Sequence, residues 1–183
     1  MTQHRTTVID PPWPERGGGK SKRGADKHYP LLRVSEMPRV ILGASCWQPT
    51  NDAHLYIWAT NTHLMAAGWL MGALGFEYKT CLTWEKETKC GRDYAGLGQY
   101  FRGSTEHLIF GTRGRGYEAR TARRDIKSLL QVQSFKALVG EHSEKPEEAY
   151  ELVQARSQGP YLEMFARAPR TGWAVWGNEL MVA

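Results

Sequence analysis

The stretch Thr6-Thr7-Val8-Ile9-Asp10-Pro11-Pro12-Trp13 sets the reading of the whole chain. Thr6 to Ile9 is short and β-branched, as a strand favours. Two prolines then end it, since neither can donate to a sheet ladder. A carboxylate, two prolines and an indole thus stand directly behind a strand. In open α/β sheets ligands bind beyond the carboxyl ends of the strands. The tetrad is therefore the first candidate site.

Outward from it, apolar runs alternate with helical patterns. Leu55 to Ala59 is a continuous apolar run, as expected of a strand buried on both faces. Asn61 or Thr62 is placed to cap a helix carrying Leu64, Ala67, Leu70, Met71 and Leu74, with Gly75 as its stop. Phe76 to Trp84 and His107 to Phe110 read as further strands. Pro146 suits a helix start, and Ala149, Tyr150, Leu152 and Val153 form the buried stripe behind it. Tyr161 to Phe165 and Trp173 to Trp176 read as the last strands. Trp58, Trp69, Trp173 and Trp176 are expected in the core. This alternation predicts an α/β fold with a largely parallel central sheet.

The 183 residues suit one domain spanning 1–183, with 41% apolar and 23% charged residues. No apolar run reaches the ~20 residues that cross a bilayer, so no membrane association is expected. Met1 to Asp10 lacks the apolar core of a signal peptide. The three cysteines, Cys46, Cys81 and Cys90, are too few for a disulfide framework. They read as reduced thiols in a cytoplasmic protein. A net charge of +5 with seven tryptophans suits a nucleic-acid partner without proving one.

Basic, glycine-containing segments fall at about 14–27, 85–105 and 111–124. Each follows a predicted strand, so all three are expected to crowd the ligand-binding edge. Arg113, Arg115, Arg123 and Arg124 are the residues expected to track a nucleic-acid backbone. For any single arginine, a solvated loop is the plainer reading. Gly19-Lys20-Ser21 is not a phosphate loop, because Pro14 stands where the first glycine is needed. The cysteines lack C-x-x-C spacing and the six histidines are scattered, so no metal site is expected.

Asp10-Pro11-Pro12-Trp13 as four letters alone could be a proline turn with a surface indole. Its position and residue types suit a more specific task. The exocyclic amine of a nucleobase is a poor nucleophile because its lone pair is delocalised into the ring. A carboxylate and a fixed backbone carbonyl can accept its hydrogens and favour a localised lone pair. An aromatic side chain can stack on an extracted base.

With Trp in the fourth place, the tetrad resembles that of the MT-A70 family of adenine-N6 methyltransferases. Further segments resemble the family in the same order. They are His28-Tyr29-Pro30 with Ser35-Glu36-Met37, Leu55 to Trp58 with Asn61 to Leu64, Trp84-Glu85-Lys86, and Thr105-Glu106-His107. Then come His142 to Glu147, Leu162 to Arg167, and Gly172 to Glu179. The resemblance implies a Rossmann-like methyltransferase fold, a three-layer sandwich with a mostly parallel sheet, and S-adenosylmethionine as cofactor. The usual glycine-rich cofactor loop is missing, and Glu163-x-Phe165-x-Arg167 stands in its place.

By resemblance, the Asp10 carboxylate and the Pro11 carbonyl accept from the adenine amine, while Pro12 and Trp13 shape the base pocket, Trp13 by stacking. Ile9 and Asp10 border the cofactor and Lys145 pairs with its carboxylate. Glu163, Arg167, Asn178 and Glu179 hold its polar groups, and Phe165 packs beside its adenine. Tyr29 contacts the target nucleotide. Lys145 as a solvated lysine would be poorly placed, since a cation at a helix start opposes the dipole. The partner implied is nucleic acid, DNA rather than RNA, with no separate target-recognition domain; a homo-oligomer is left open. A non-catalytic scaffold of the same fold is the alternative, as is an RNA N6-adenosine enzyme. A glutamine-amide methyltransferase is disfavoured, because its tetrad usually ends in Tyr.

Overall fold

The computed structural model describes residues 2–14, 32–88, 90, 100–116, 118–121, 134–138 and 144–177. Its strands are β1 (His4–Ile9), β2 (Pro49–Thr60), β3 (Glu77–Glu87), β4 (Thr105–Arg113), β5 (Ser134–Leu138), β6 (Tyr161–Met164) and β7 (Trp173–Trp176). Its α-helices are α1 (Met37–Gly43), α2 (Leu64–Ala73) and α3 (Glu147–Arg156). The strands form one seven-stranded sheet in the order β5-β3-β4-β2-β1-β6-β7. Every pairing is parallel except those of β4, which runs antiparallel to both β2 and β3.

The continuous apolar strands have the explanation expected of them: the sheet is covered on both faces. On one face Ile9, Leu55, Ile57, Ile109, Leu162 and Met164 pack with Met37 and Ile41 of α1 and Ala67, Leu70 and Met71 of α2. On the other, Val8, Tyr56, Trp58, Trp84, Leu108 and Phe110 pack with Ala149, Tyr150 and Val153 of α3. Neighbours along a strand point to opposite faces, so Val8 and Ile9 serve different layers. This is the expected three-layer α/β/α sandwich.

Local expectations differ from the structure in a few places. Asn61–His63 forms a 3-10 turn, and α2 begins only at Leu64. Gly75 ends it as expected, with φ +81°, a conformation that glycine takes without a Cβ penalty. Trp69 is half exposed and not core. The buried face of α2 is Ala67, Leu70, Met71 and Leu74, and position 69 falls on the opposite side of that 3.6-residue period. The short elements α1 and β5 were not foreseen.

β1 and β6 lie side by side in parallel. The sheet continues from β1 to β2 on one side and from β6 to β7 on the other. This is the topological switch point, where such sheets open a crevice at the carboxyl edge. Among the described residues no helix is long and apolar enough to cross a membrane.

Candidate active site

Asp10 follows β1 at that crevice, and its amide donates to the Met164 carbonyl at the end of β6 (3.3 Å). Two positions beyond Val8, its side chain turns to the α3 face. Glu106 and Lys86 take the matching outer positions of β4 and β3, beyond Leu108 and Trp84. Lys145 enters this face from the segment just before α3. The four side chains form an alternating chain. Lys145 Nζ lies 3.1 Å from Asp10 Oδ2 and 3.2 Å from Glu106 Oε2, and Lys86 Nζ lies 2.5 Å from Glu106 Oε1. The Lys145 ammonium also sits 5.5 Å over the Trp58 ring, a cation–π geometry.

Burial and charge act against each other here. Burial pushes the Asp10 carboxyl up, against the pull of Lys145. Burial would also raise Glu106, but Lys145 and Lys86 together hold it below the usual carboxylate range. Lys145 loses hydration, yet Asp10 and Glu106 outweigh that loss and hold it charged well above the usual lysine range. Its side chain is only 9% exposed. Lys145, expected to take the cofactor's carboxylate, thus has two carboxylates of the chain itself as partners. They answer the mismatch of a cation ahead of a helix start.

The rest of the tetrad is tightly held. The Trp13 amide donates to the Pro11 carbonyl (2.8 Å), closing a short turn, and the Leu32 amide donates to the Pro12 carbonyl (3.2 Å). Pro11 keeps a second lone pair for another donor. Trp13, the residue expected to stack on the base, is packed into the core. Its ring is 5% exposed, its indole N–H donates to the Trp58 carbonyl (2.8 Å), and His63 stacks on it at 5.2 Å. With its polar handle bonded and its body in the core, Trp13 anchors the tetrad and does not present a free face.

A cleft of about 440 Å³ opens beside Asp10, lined by Lys145, Tyr150, Glu163, Phe165, Arg167 and Arg170 among others. Glu163 is fixed from both sides: Tyr150 OH donates to Oε1 (2.5 Å) and Arg170 Nε to Oε2 (3.2 Å). Arg170 also pairs with Glu147 and lies over the Tyr150 ring. Ile9 is buried beneath the crevice floor. Phe165 turns the chain out of β6 with φ +61°, a left-handed conformation that is costly for a bulky residue. It is the bend a glycine-rich loop would make without strain. Its ring packs edge-on to Trp176 at 5.2 Å. Across from it, a Cβ on Gly177 would come within 2.2 Å of the Ala166 carbonyl oxygen, so only glycine lets the ends of β6 and β7 close together.

Arg113 and Arg115 do not border this cleft. Because β4 runs antiparallel, Glu106 pairs with Thr60 at the carboxyl end of β2, while Arg113 pairs with Ala53 near its start. Seven residues of strand, roughly 24 Å at about 3.4 Å per residue, separate them. The segment after β4 emerges at the opposite edge, where the Gly116 carbonyl accepts from His54 Nε2 (2.9 Å). Tyr29, Arg123, Arg124, Asn178 and Glu179 lie outside the described residues, as does most of 14–27. Conversely, Glu106, Lys86, Tyr150 and Arg170 belong to the site and were not given roles. Glu106 precedes the apolar run Leu108 to Phe110 as a single carboxylate, whereas Lys86 sits between Glu85 and Glu87, where nothing in the sequence sets it apart. Among the described residues no group of His, Cys, Asp and Glu is arranged to hold a metal ion.

Comparison with known proteins agrees with this architecture. The chain is 26% identical to the Type II methyltransferase M.MunI of a Mycoplasma species, over 97% of this chain and 78% of that protein. It is 30% identical to human N(6)-adenine-specific methyltransferase METTL4, over 95% of this chain but 37% of the relative. It is also 30% identical to the N6-methyladenosine RNA methyltransferase MTA1 of Cryphonectria parasitica, over 95% of this chain and 51% of the relative. The chain therefore spans about half or less of the last two proteins. The MT-A70 family profile matches residues 4–179, taking in the strand-terminal carboxylate, the buried charge chain and the bend at Phe165, and the chain belongs to the MT-A70 family.

Proposed function

We propose that this chain transfers a methyl group from S-adenosylmethionine to the N6 amine of adenine in nucleic acid, with DNA the expected acceptor and RNA the alternative. The observation that carries the reading is the partly desolvated Asp10 carboxylate at the switch point, directly beside the cleft. The names of METTL4 and MTA1 specify N6-adenine methylation, which supports the same chemistry here.

The cleft fits the cofactor in its donor set. Glu163 offers carboxylate oxygens to ribose hydroxyls, Arg167 a cation to a carboxylate, and Phe165 an aromatic face to adenine. Its volume lies in the range of small-molecule sites. When bound, S-adenosylmethionine supplies an already activated methyl group on a sulfonium. The chain's own residues supply orientation and proton handling. Asp10 accepts a hydrogen from the amine, and the second lone pair of the Pro11 carbonyl accepts the other. That favours a localised lone pair on N6. Burial keeps Asp10 a better proton acceptor than an exposed aspartate, so its Oδ atoms take the proton that N6 releases. Holding both reactants in line can lower the barrier by several kcal/mol, up to about 7–11.

Labelled methyl transfer to matched DNA, RNA and protein substrates, read out by mass spectrometry of nucleosides, tests the proposal. N6-methyladenine formed by the intact protein and not by Asp10→Asn is the expected result. Its absence from both nucleic acids overturns the proposal.

A further inference from the structure

With Arg113 and Arg115 at the far edge, other residues must meet the strand around the target base. The segment joining β3 to β4 is fixed at both ends on the carboxyl edge, because β3 ends there at Glu87 and β4 starts there at Thr105. The Lys86 amide donates to the Ser104 carbonyl (2.9 Å), tying this segment to the same lysine whose side chain pairs with Glu106. Most of the lining of the cofactor-sized cleft comes from β6, the bend after it and the chain entering α3, with Leu138 of β5 also on its wall. An in-line transfer needs its acceptor on the other side of the reacting carbon, towards the ends of β2, β4 and β3. There Tyr100 and Phe101 project into solvent, 93% and 89% exposed, the most exposed large apolar side chains among the described residues. Arg102, also exposed, follows them.

We propose that Tyr100, Phe101 and Arg102 form the contact surface for nucleotides flanking the target adenine in a single-stranded nucleic acid. The inference rests on the nucleic-acid acceptor proposed above. Two adjacent rings in water are an unfavourable exposure unless a partner covers them. Bases cover them well, since every base has a π-face and stacking on aromatic side chains is tolerant of sequence. Arg102 adds a cation for a phosphate and matches the charge of that partner. Stacking of this kind requires unpaired bases, which favours a single strand over a closed duplex.

The test uses the full chain and a fluorescently labelled, adenine-containing single-stranded oligonucleotide. Tyr100→Ala with Phe101→Ala is expected to weaken oligonucleotide binding, and to raise its KM, by at least about tenfold. Turnover at saturating oligonucleotide and affinity for S-adenosylmethionine should stay within about twofold. Tyr100→Phe with Phe101→Tyr, which keeps both rings, should restore binding. Arg102→Gln should lower the salt slope of binding by roughly one log-log unit. If the intact protein methylates oligonucleotides and the double alanine variant binds them equally well, this surface is not the contact, while the proposed activity stands. If the intact protein neither binds nor methylates any oligonucleotide, both proposals fall. Unchanged nucleic-acid binding with altered sedimentation would assign the rings to an interface between copies of the chain, and a preference for duplex that ignores both rings would also overturn the inference.

Discussion

Lys145 and Asp10 form a close ion pair, 3.1 Å from ammonium to carboxylate, in which neither group is free of a second influence. Glu106 draws the same ammonium from the other side. Asp10 therefore shares its counter-ion, and keeps acceptor capacity for a substrate amine that an exclusive pair would use up.

The first prediction concerns Asp10→Asn. The amide keeps the shape but has less acceptor capacity and no site for a proton. Methyl transfer should fall by at least about 100-fold. The fold should survive, because Lys145 keeps Glu106. Single-turnover assays and thermal melts check the two halves; near-normal turnover would remove Asp10 from the chemistry.

Glu106 should govern stability in strong acid. Its folded pKa is depressed, so it contributes stability that is present above its unfolded value near 4.5 and lost as pH falls through the folded value. In Glu106→Gln the stability curve should drop less steeply below about pH 4.5. Urea titrations from pH 3 to 7 read this directly. Identical slopes in the two proteins would show that Glu106 is not so paired.

A different histidine-linked loss should appear at milder pH. Tyr56 OH, Ser157 Oγ, His54 and the Gly116 carbonyl form a buried relay, with 2.7 Å from Tyr56 to Ser157 and 2.7 Å from Ser157 to His54. The carbonyl accepts from Nε2–H, and with burial keeping the ring neutral, Nδ1 accepts from the Ser157 hydroxyl. Burial is the main cause that lowers His54 to about 4 from an ordinary 6.5. The unfolded chain binds the extra proton first. Stability should fall by up to roughly 3 kcal/mol as pH drops from about 6.5 to about 4. In His54→Gln that slope should become shallower, leaving the smaller part that buried His4 and part-buried His107 contribute, although the variant starts less stable.

Phe165 offers a test of backbone strain. Phe165→Gly and Phe165→Ala both lose the ring against Trp176, but only glycine takes φ +61° without a Cβ penalty. The glycine variant should be the more stable of the two by about 1 kcal/mol. Equal denaturation midpoints would mean that the left-handed bend relaxes at no cost.

Much of the fold was legible because its signals are local. Leu55 to Ala59 had to be covered on both faces, and Asp10 had to leave β1 at its carboxyl end. What stayed hidden was relational. His107 to Phe110 reads as a strand in either direction, since alternation carries no polarity. Reversing it moves Arg113 from one edge of the sheet to the other. Trp69 looked like core by composition, yet the helical period turns it outward. The partners of Lys145 come from β1 and β4, far from it in sequence, and no spacing in the chain announces them.

The Asp10–Lys145–Glu106–Lys86 chain alternates in sign and sums to zero. Seen from a Debye length away, about 8–10 Å at ordinary ionic strength, these four charges nearly cancel. They neither attract nor repel an approaching polyanion as a group. On the proposed reading, capture of a nucleic acid is left to the exposed surface of Tyr100, Phe101 and Arg102, where dissolved ions compete with the Arg102 cation. The bond-making step works inside a short-range field that dissolved ions scarcely reach. Raising ionic strength should therefore slow the enzyme by emptying it, while a molecule already loaded reacts at its former pace.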